Sequence, residues 1–288
     1  MRFGHAAWFG MDLNTITALS RPHSRDEVPH WSPGMAWLGG GTWLFSEPQP
    51  HLTHLVDVAG FGWAPVTIDE AGLTLAATCT IAQLHRAPLP AGWTAAPLVA
   101  QCCEALLASF KVWNTATIGG NLCLALPAGA MIALTAALDG RCTLWRADGR
   151  EETIGVLDLI VDAERTCLAP GDLLRSIFLP RDALTLRTAL RKISLHPLGR
   201  SAALLIGTVS AHDRFVLTIT GSTRRPMQLA FDTPPTAEDL AATLAADVPD
   251  GLYYDDIHGR PDWRRALTFL LAEEIRAELG GALGSVAP

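Results

Sequence analysis

Short apolar runs, bounded by glycine, proline and polar residues, punctuate the first 180 residues and predict strands more often than helices. Ala36-Trp37-Leu38, His54-Leu55-Val56-Asp57-Val58 and Gly72-Leu73-Thr74-Leu75-Ala76-Ala77 read as three such strands. Ahead of them, residues 1–35 are rich in His, Pro and Ser and read as irregular, with a short helix near Asn14 to Leu19. Thr80 is placed to N-cap a short helix through His85. Leu98, Cys102, Ala105, Leu106 and Phe110 recur at three- and four-residue spacing, which predicts a helix from Pro97 to Phe110 with one buried stripe. Another helix is predicted from Pro127 through Leu138, stopping at Gly140. It is apolar all round, so it belongs inside the domain or between subunits. Cys142 to Arg146 and Glu151 to Ile154 form a hairpin about Asp148-Gly149, and Leu173 to Leu179 forms a strand ended by Pro180.

Beyond Pro180 the texture changes. Leu190 to Ser194, Ala203 to Ser210 and Phe215 to Gly221 read as antiparallel strands, the last two joined across His212-Asp213-Arg214. Two helices follow, Ala237 to Ala246 with Thr236 as N-cap, and Pro261 to Leu279 closed by Gly280. Strands first and helices after indicate a small α+β domain. The boundary falls near residues 180–186, dividing the chain into 1–181 and 182–288.

Two glycine segments carry the candidate chemistry: Gly39-Gly40-Gly41-Thr42, and Gly119-Gly120-Asn121 within WNTATIGGNLC. Glycine pairs let backbone approach a ligand and present successive N–H groups to it. Either segment alone reads as a tight turn; together, each entered from an apolar or β-branched stretch, they suggest two walls of a slot for a phosphate-bearing cofactor. The first is not a Rossmann fingerprint. That pattern needs a third glycine opening a long helix, whereas Leu44 stands there and Pro48 and Pro50 would break the helix.

The composition narrows the partners. Hydrophobic residues make up 49% and charged residues 18% of the 288, with nine Trp against two Tyr, which fits a subunit covering surface against other chains or a large core. A formal net charge of −7 and the lack of a basic stripe argue against nucleic acid. The six cysteines form no CxxC pair, so they read as buried thiols in a reducing compartment, not as a cluster site. No signal peptide and no membrane span is visible, so a cytoplasmic location is expected.

The order of the segments resembles the FAD-binding (medium) subunit of molybdenum hydroxylases, the xanthine dehydrogenase and carbon monoxide dehydrogenase group. Leu38-Gly39-Gly40-Gly41-Thr42-Trp43-Leu44 is similar to that family's first flavin loop, and Leu55-Val56-Asp57-Val58 to the strand after it. Asn114-Thr115-Ala116-Thr117-Ile118-Gly119-Gly120-Asn121 is similar to the second loop. Gly171 to Pro180 resembles the strand closing the flavin domain, and the C-terminal part, with Gly221 to Pro226 and Gly259 to Arg265, resembles the family's C-terminal domain.

The resemblance implies an α+β fold: a two-subdomain FAD-binding domain of the vanillyl-alcohol-oxidase type, then a small α+β domain of antiparallel sheet and helices. It implies FAD held by backbone N–H groups of Gly39 to Trp43 and of Thr117, Ile118, Gly119, Gly120 and Asn121. The Thr42, Thr117 and Asn121 side chains would add neutral hydrogen bonds, and Leu44 and Leu174 apolar packing. It further implies a small partner subunit with [2Fe–2S] clusters and a large partner subunit with the molybdenum cofactor, in a hetero-oligomer. No catalytic acid or base and no metal ligand is assigned to this chain.

The sequence departs from the family in placing Trp113 where Arg is usual, Ala130 where Asp is usual, and Leu126 and Gly129 where Ser is common. Each lost charged hydrogen bond is worth about 1–3 kcal/mol. A structural subunit with weak or absent FAD therefore stays open as an alternative, as does a stand-alone flavin oxidoreductase. His51 and His54 read as loop or strand-edge residues, and Asp255, Asp256 and His258 as a solvated helix start. Arg224-Arg225-Pro226 reads as a solvated turn.

Overall fold

The computed structural model describes residues 14–281. Three short strands open it: β1 (Ala18–Ser20), β2 (Met35–Leu38) and β3 (His54–Asp57). They form a parallel sheet in the order β1-β3-β2. The helix expected near Asn14 to Leu19 is not there. Thr15, Ile16 and Thr17 lead into β1, and the Thr17 and Ala18 amides both donate to the Thr53 carbonyl. Branched Cβ atoms and a free strand edge outweigh helix propensity at this point.

Next come β4 (Val66–Ile68), β5 (Gly72–Ala76), α1 (Ile81–His85), α2 (Ala96–Ala105) and α3 (Phe110–Trp113). Thr80 caps α1 in a reciprocal capping box with Gln83. The helix expected over Pro97 to Phe110 ends early, at Ala105. Ser109 then N-caps α3, and Phe110 projects into solvent at 73% exposure.

The chain continues through α4 (Ile118–Leu124), α5 (Ala130–Ala137), β6 (Arg141–Trp145), β7 (Glu151–Gly155), α6 (Val156–Leu159), β8 (Ile160–Asp162), β9 (Arg165–Thr166) and β10 (Leu173–Pro180). β4-β5-β10-β6-β7 make an antiparallel sheet with β10 at its centre. The hairpin turns at Gly149, whose φ of +93° explains the glycine. Helix α5 starts at Ala130, three residues after Pro127, and every residue in it is buried.

Helix α7 (Arg181–Leu184) leads to β11 (Arg187–Ile193), β12 (Ala203–Val209), β13 (Phe215–Thr220) and β14 (Met227–Phe231), an antiparallel sheet in chain order. Then come α8 (Ala237–Asp247), capped by Thr236, and α9 (Pro261–Gly281), which runs through Gly280. All of β12 is buried because both its faces are covered. Leu204 and Ile206 join the core around α5, while Ala203, Leu205 and Val209 join the core under α9. Each buried Leu, Ile or Val among them stabilises the fold by about 1.5–3 kcal/mol. Gly207 lets α9 lie close, since a Cβ there would sit 2.2 Å from Ile275 Cγ2. So α5 is buried within this chain, against the C-terminal sheet, where Gln228 Nε2 donates to the Ala136 carbonyl at 2.8 Å.

Four cysteines are buried, but Cys123 and Cys167 are exposed, which corrects the expectation of six buried thiols. Burial pushes the Cys79 and Cys142 thiols up to about 12, consistent with inert core residues. His54 pairs with Ser20 Oγ at 2.7 Å. Arg224 grips the Asp162 carboxylate through two nitrogens, at 2.8 and 3.0 Å, instead of lying free in solvent. Among the described residues no helix is long and apolar enough to cross a membrane, and no group of three or more His, Cys, Asp or Glu could hold a metal.

Candidate cofactor site

The first glycine segment leaves the C-terminal end of β2, which is anchored by Trp37 Nε1 donating to the Asp172 carbonyl at 2.9 Å. Gly41 has φ +69°, a conformation costly for side-chain-bearing residues, and the Phe45 ring lies where its Cβ would be, at 2.5 Å. The turn is closed by Phe45 N–H to the Gly41 carbonyl and Ser46 N–H to the Trp43 carbonyl, both 2.9 Å. The amides between are open. Among the described residues, the N–H groups of Gly40, Gly41, Thr42, Trp43 and Leu44 meet no acceptor. Gly39 and Thr42 are exposed, and Leu38, Trp43 and Leu44 are half-buried.

The second segment is built differently. Gly119 and Gly120 do not form a loop; they lie in the first turn of α4, behind the N-cap Thr117. Ile118 N–H donates to the Cys79 carbonyl, Gly119 N–H to Ala77 and Asn121 N–H to Thr117, at 2.9, 2.9 and 3.0 Å. Gly120 N–H donates to Thr117 Oγ1 at 3.0 Å. Four of the expected donors are thus satisfied within the chain. Gly119 is needed for packing, because a Cβ there would lie 2.5 Å from that of Ala77. Asn121 is also engaged, its Oδ1 accepting from Met131 N–H at 3.2 Å at the start of α5.

The two segments touch. A Cβ on Gly40 would fall 1.7 Å from the Thr115 carbonyl oxygen, and one on Gly39 would fall 3.2 Å from Thr117 Oγ1. Backbone therefore lies against backbone, with Gly40 on Thr115 and Gly39 on Thr117, the N-cap of α4. Leu174 lies on β10. It is 2% exposed, pairs with Leu144 across β10 and β6, and belongs to the main core. Trp113 is half-buried, its Nε1 donating to the Leu106 carbonyl at 3.1 Å, and Ala130 is fully buried in α5.

A cleft of about 70 Å³ adjoins Trp43 and runs to the C-terminal sheet, with Pro127, Arg200, Ser201, Tyr254 and Arg264 among its walls. The Arg200 guanidinium sits 5.2 Å from the Trp43 ring centroid. Ser201 is 3% exposed, and its Oγ has no hydrogen-bond partner among the described residues. Arg264, 1% exposed, donates to the carbonyls of Gly259, Ala202 and Gly221 and pairs with Asp256. Asp256 is thus an ion-pair partner and not a solvated helix start. Burial raises the Tyr254 phenol above its ordinary value, so it stays neutral at pH 7. No spacing in the sequence marks Arg200, Ser201 or Arg264, since their elements meet Trp43 only through the tertiary fold.

Residues 17–182 match the family described as the FAD binding domain in molybdopterin dehydrogenase. Solved structures share the fold at low identity. Carbon monoxide dehydrogenase from Hydrogenophaga pseudoflava, which lacks the Mo-pyranopterin moiety of the molybdenum cofactor, is 18% identical with a TM-score of 0.74, covering 90% of this chain and 96% of that one. Quinoline 2-oxidoreductase from Pseudomonas putida 86 is 20% identical with a TM-score of 0.74, covering 92% and 97%. Reconstituted carbon monoxide dehydrogenase from Oligotropha carboxidovorans is 18% identical with a TM-score of 0.72, covering 90% and 97%. No curated protein matches the chain.

Proposed function

Because the chain belongs to the family of FAD-binding domains in molybdopterin dehydrogenases, we propose that it is the electron-transferring flavoprotein subunit of a heteromeric molybdenum hydroxylase. The observation that carries this reading is the run of five open amides, Gly40 to Leu44, whose first residue packs on the Thr115 backbone just ahead of the α4 N-cap. A diphosphate is the anion such a nest suits, since each N–H offers a hydrogen bond without bringing a counter-charge. Thr42 adds a hydroxyl at the exposed rim. In this reading Thr117, Ile118, Gly119, Gly120 and Asn121 chiefly set the position of the α4 N-terminus, and the first segment supplies most of the direct donors. Ser201 Oγ, buried beside Trp43 without a partner among the described residues, is a donor or acceptor available to a polar ring edge.

Bound there, FAD supplies a carrier that takes single electrons from the [2Fe–2S] clusters of a small partner subunit and releases a pair to a final acceptor. The substrate is oxidised at the molybdenum cofactor of a large partner subunit. This chain positions and shields; its residues hold no proton-transfer role in the reading. The same reading puts the complex in the cytoplasm and divides the chain into a flavin domain over 1–181 and a partner domain over 182–288.

Titration of the purified chain with FAD, followed by flavin fluorescence, tests the proposal; one FAD per chain at micromolar concentration is expected. No binding in that range removes it. One observation favours a second reading, a structural subunit with weakened FAD affinity: Trp43 and Arg200 leave a cleft of only about 70 Å³. Ligand sites usually run to about 300 Å³ or more. The flavin absorbance of the native complex separates the two readings.

A further inference from the structure

A larger cleft, of about 530 Å³, lies between the segment leading into β2 and the β6–β7 hairpin. Neither glycine segment lines it. Gly171 and Leu173 line it, two and more residues ahead of Arg175, whose carbonyl accepts the Ala77 amide that adjoins the second segment. Its volume falls within the range of about 300–1,000 Å³ usual for small-molecule sites.

Three indoles form its walls. Trp31 and Trp37 stand on one side with centroids 4.8 Å apart, tilted by 31°, and Trp145 stands on the other. Trp145 is held edge-on by Trp63 at 5.5 Å and Phe61 at 5.4 Å. Trp37 is fixed by its bond to the Asp172 carbonyl. Rigid indoles of this kind present flat apolar faces to a ring at little entropic cost.

The charge in the cleft decides which ring. Arg25 lies over Trp145 at 5.1 Å, and its Nη2 donates to the Arg146 and Arg150 carbonyls at 3.1 and 2.9 Å. Those bonds fix the guanidinium while its Nε and Nη1 meet no acceptor among the described residues. Arg146, by contrast, is matched by Glu152 and Asp172. Asp26, exposed and without an ion-pair partner among the described residues, also lines the cleft, so anion binding rests on the Arg25 donors. An anionic group would find two free, pre-oriented donors.

We propose that this cleft is a second ligand site, for a planar aromatic ring carrying a negative charge, and that it fills with FAD in place. Stacking against the indoles supplies affinity, and Arg25 selects the anion. The proposal is independent of the flavoprotein reading.

Isothermal titration calorimetry of the full chain tests it, before and after addition of saturating FAD. The probes are 1-naphthoate and 2-naphthoate, with 2-naphthamide as the uncharged control. One probe molecule per chain is expected, with the same affinity in both FAD conditions and about tenfold weaker binding of the amide. Arg25→Gln is expected to weaken both anions about tenfold and leave the amide unchanged. Trp31→Ala should weaken all three, and thermal melts establish that each variant is folded. No saturable heat with either anion overturns the proposal, as does equal anion affinity in Arg25→Gln and the parent. Probe binding that disappears on FAD saturation also overturns it, because the cleft would then be one end of the FAD site. Failure of FAD to bind would sink the flavoprotein reading alone, since the titration without FAD still decides this site.

Discussion

Replacing Gly40 by alanine places a methyl group 1.7 Å from the Thr115 carbonyl oxygen, 2.6 Å from its carbon and 3.2 Å from the Ala116 nitrogen. Ordinary contact begins near 3.4 Å, so the two segments must separate by about 1.7 Å. The obstacle is backbone on both sides, and no rotamer change relieves it. Thr115 is tied to α3, its amide donating to the Val112 carbonyl at 3.0 Å and its hydroxyl to the Lys111 carbonyl at 2.9 Å. The first segment is the less constrained partner, with its amides unbonded, and it is the one that moves. Overpacking of this kind costs about 1–3 kcal/mol. If the distortion falls mainly on the amide nest, FAD affinity drops by about 10- to 100-fold. Equilibrium titration by flavin fluorescence measures this, with Gly92→Ala as the matched control because its Cβ would meet nothing within 4 Å. Equal FAD affinity in Gly40→Ala and Gly92→Ala refutes the role given to the first segment.

Three further outcomes are expected. Thr117→Ala removes the N-cap bond to Gly120 N–H and should destabilise the chain by about 1 kcal/mol, read as a fall of a few degrees in thermal midpoint; an unchanged midpoint contradicts the cap. Arg264→Met strands the Asp256 carboxylate and three carbonyls, a loss of about 3–5 kcal/mol in denaturant unfolding, and a shift below about 1 kcal/mol would show the buried cation to be dispensable. Burial alone would raise the Asp172 carboxyl, but the Ala147 and Ala169 amides and the Arg146 guanidinium outweigh it and hold it below the ordinary value. Its stabilisation is therefore full above the unfolded carboxylate value of about 3.9 and is lost as pH falls from there through the folded value. Asp172→Asn should lower stability at pH 7 and flatten the decline in acid; an equally steep acid decline contradicts this.

Local chemistry was legible wherever it agreed with the tertiary fold. Thr80, Thr236 and Asp148-Gly149 name their own caps and turn, because each motif satisfies its backbone within a few residues. The wholly apolar run of α5 announced burial correctly, though not that the burying surface was the C-terminal sheet of the same chain. Helix α4 was hidden because glycine in a helix costs about 1 kcal/mol relative to alanine, so Ile118-Gly119-Gly120 reads as a turn. Contact with Ala77, which only glycine permits, outweighs that cost. The helix over Pro97 to Phe110 looked continuous because its stripe is periodic, yet Ser109 offers the backbone a cap and starts a separate helix at Phe110. The adjacency of the two glycine segments was inferable from their pairing. Which of them keeps free donors was not, since that depends on bonds from Ile118 and Gly119 to Cys79 and Ala77, in the link after β5.

Proton–nitrogen correlation spectra of the isotope-labelled chain, recorded with and without one equivalent of FAD, resolve which amides meet the diphosphate. Large shifts are expected at Gly40, Gly41, Thr42, Trp43 and Leu44, with smaller ones at Ile118 to Asn121, whose protons are already bonded within the chain. Shifts confined to the second segment, or none at the first under saturating FAD, would contradict the assignment of the amide nest.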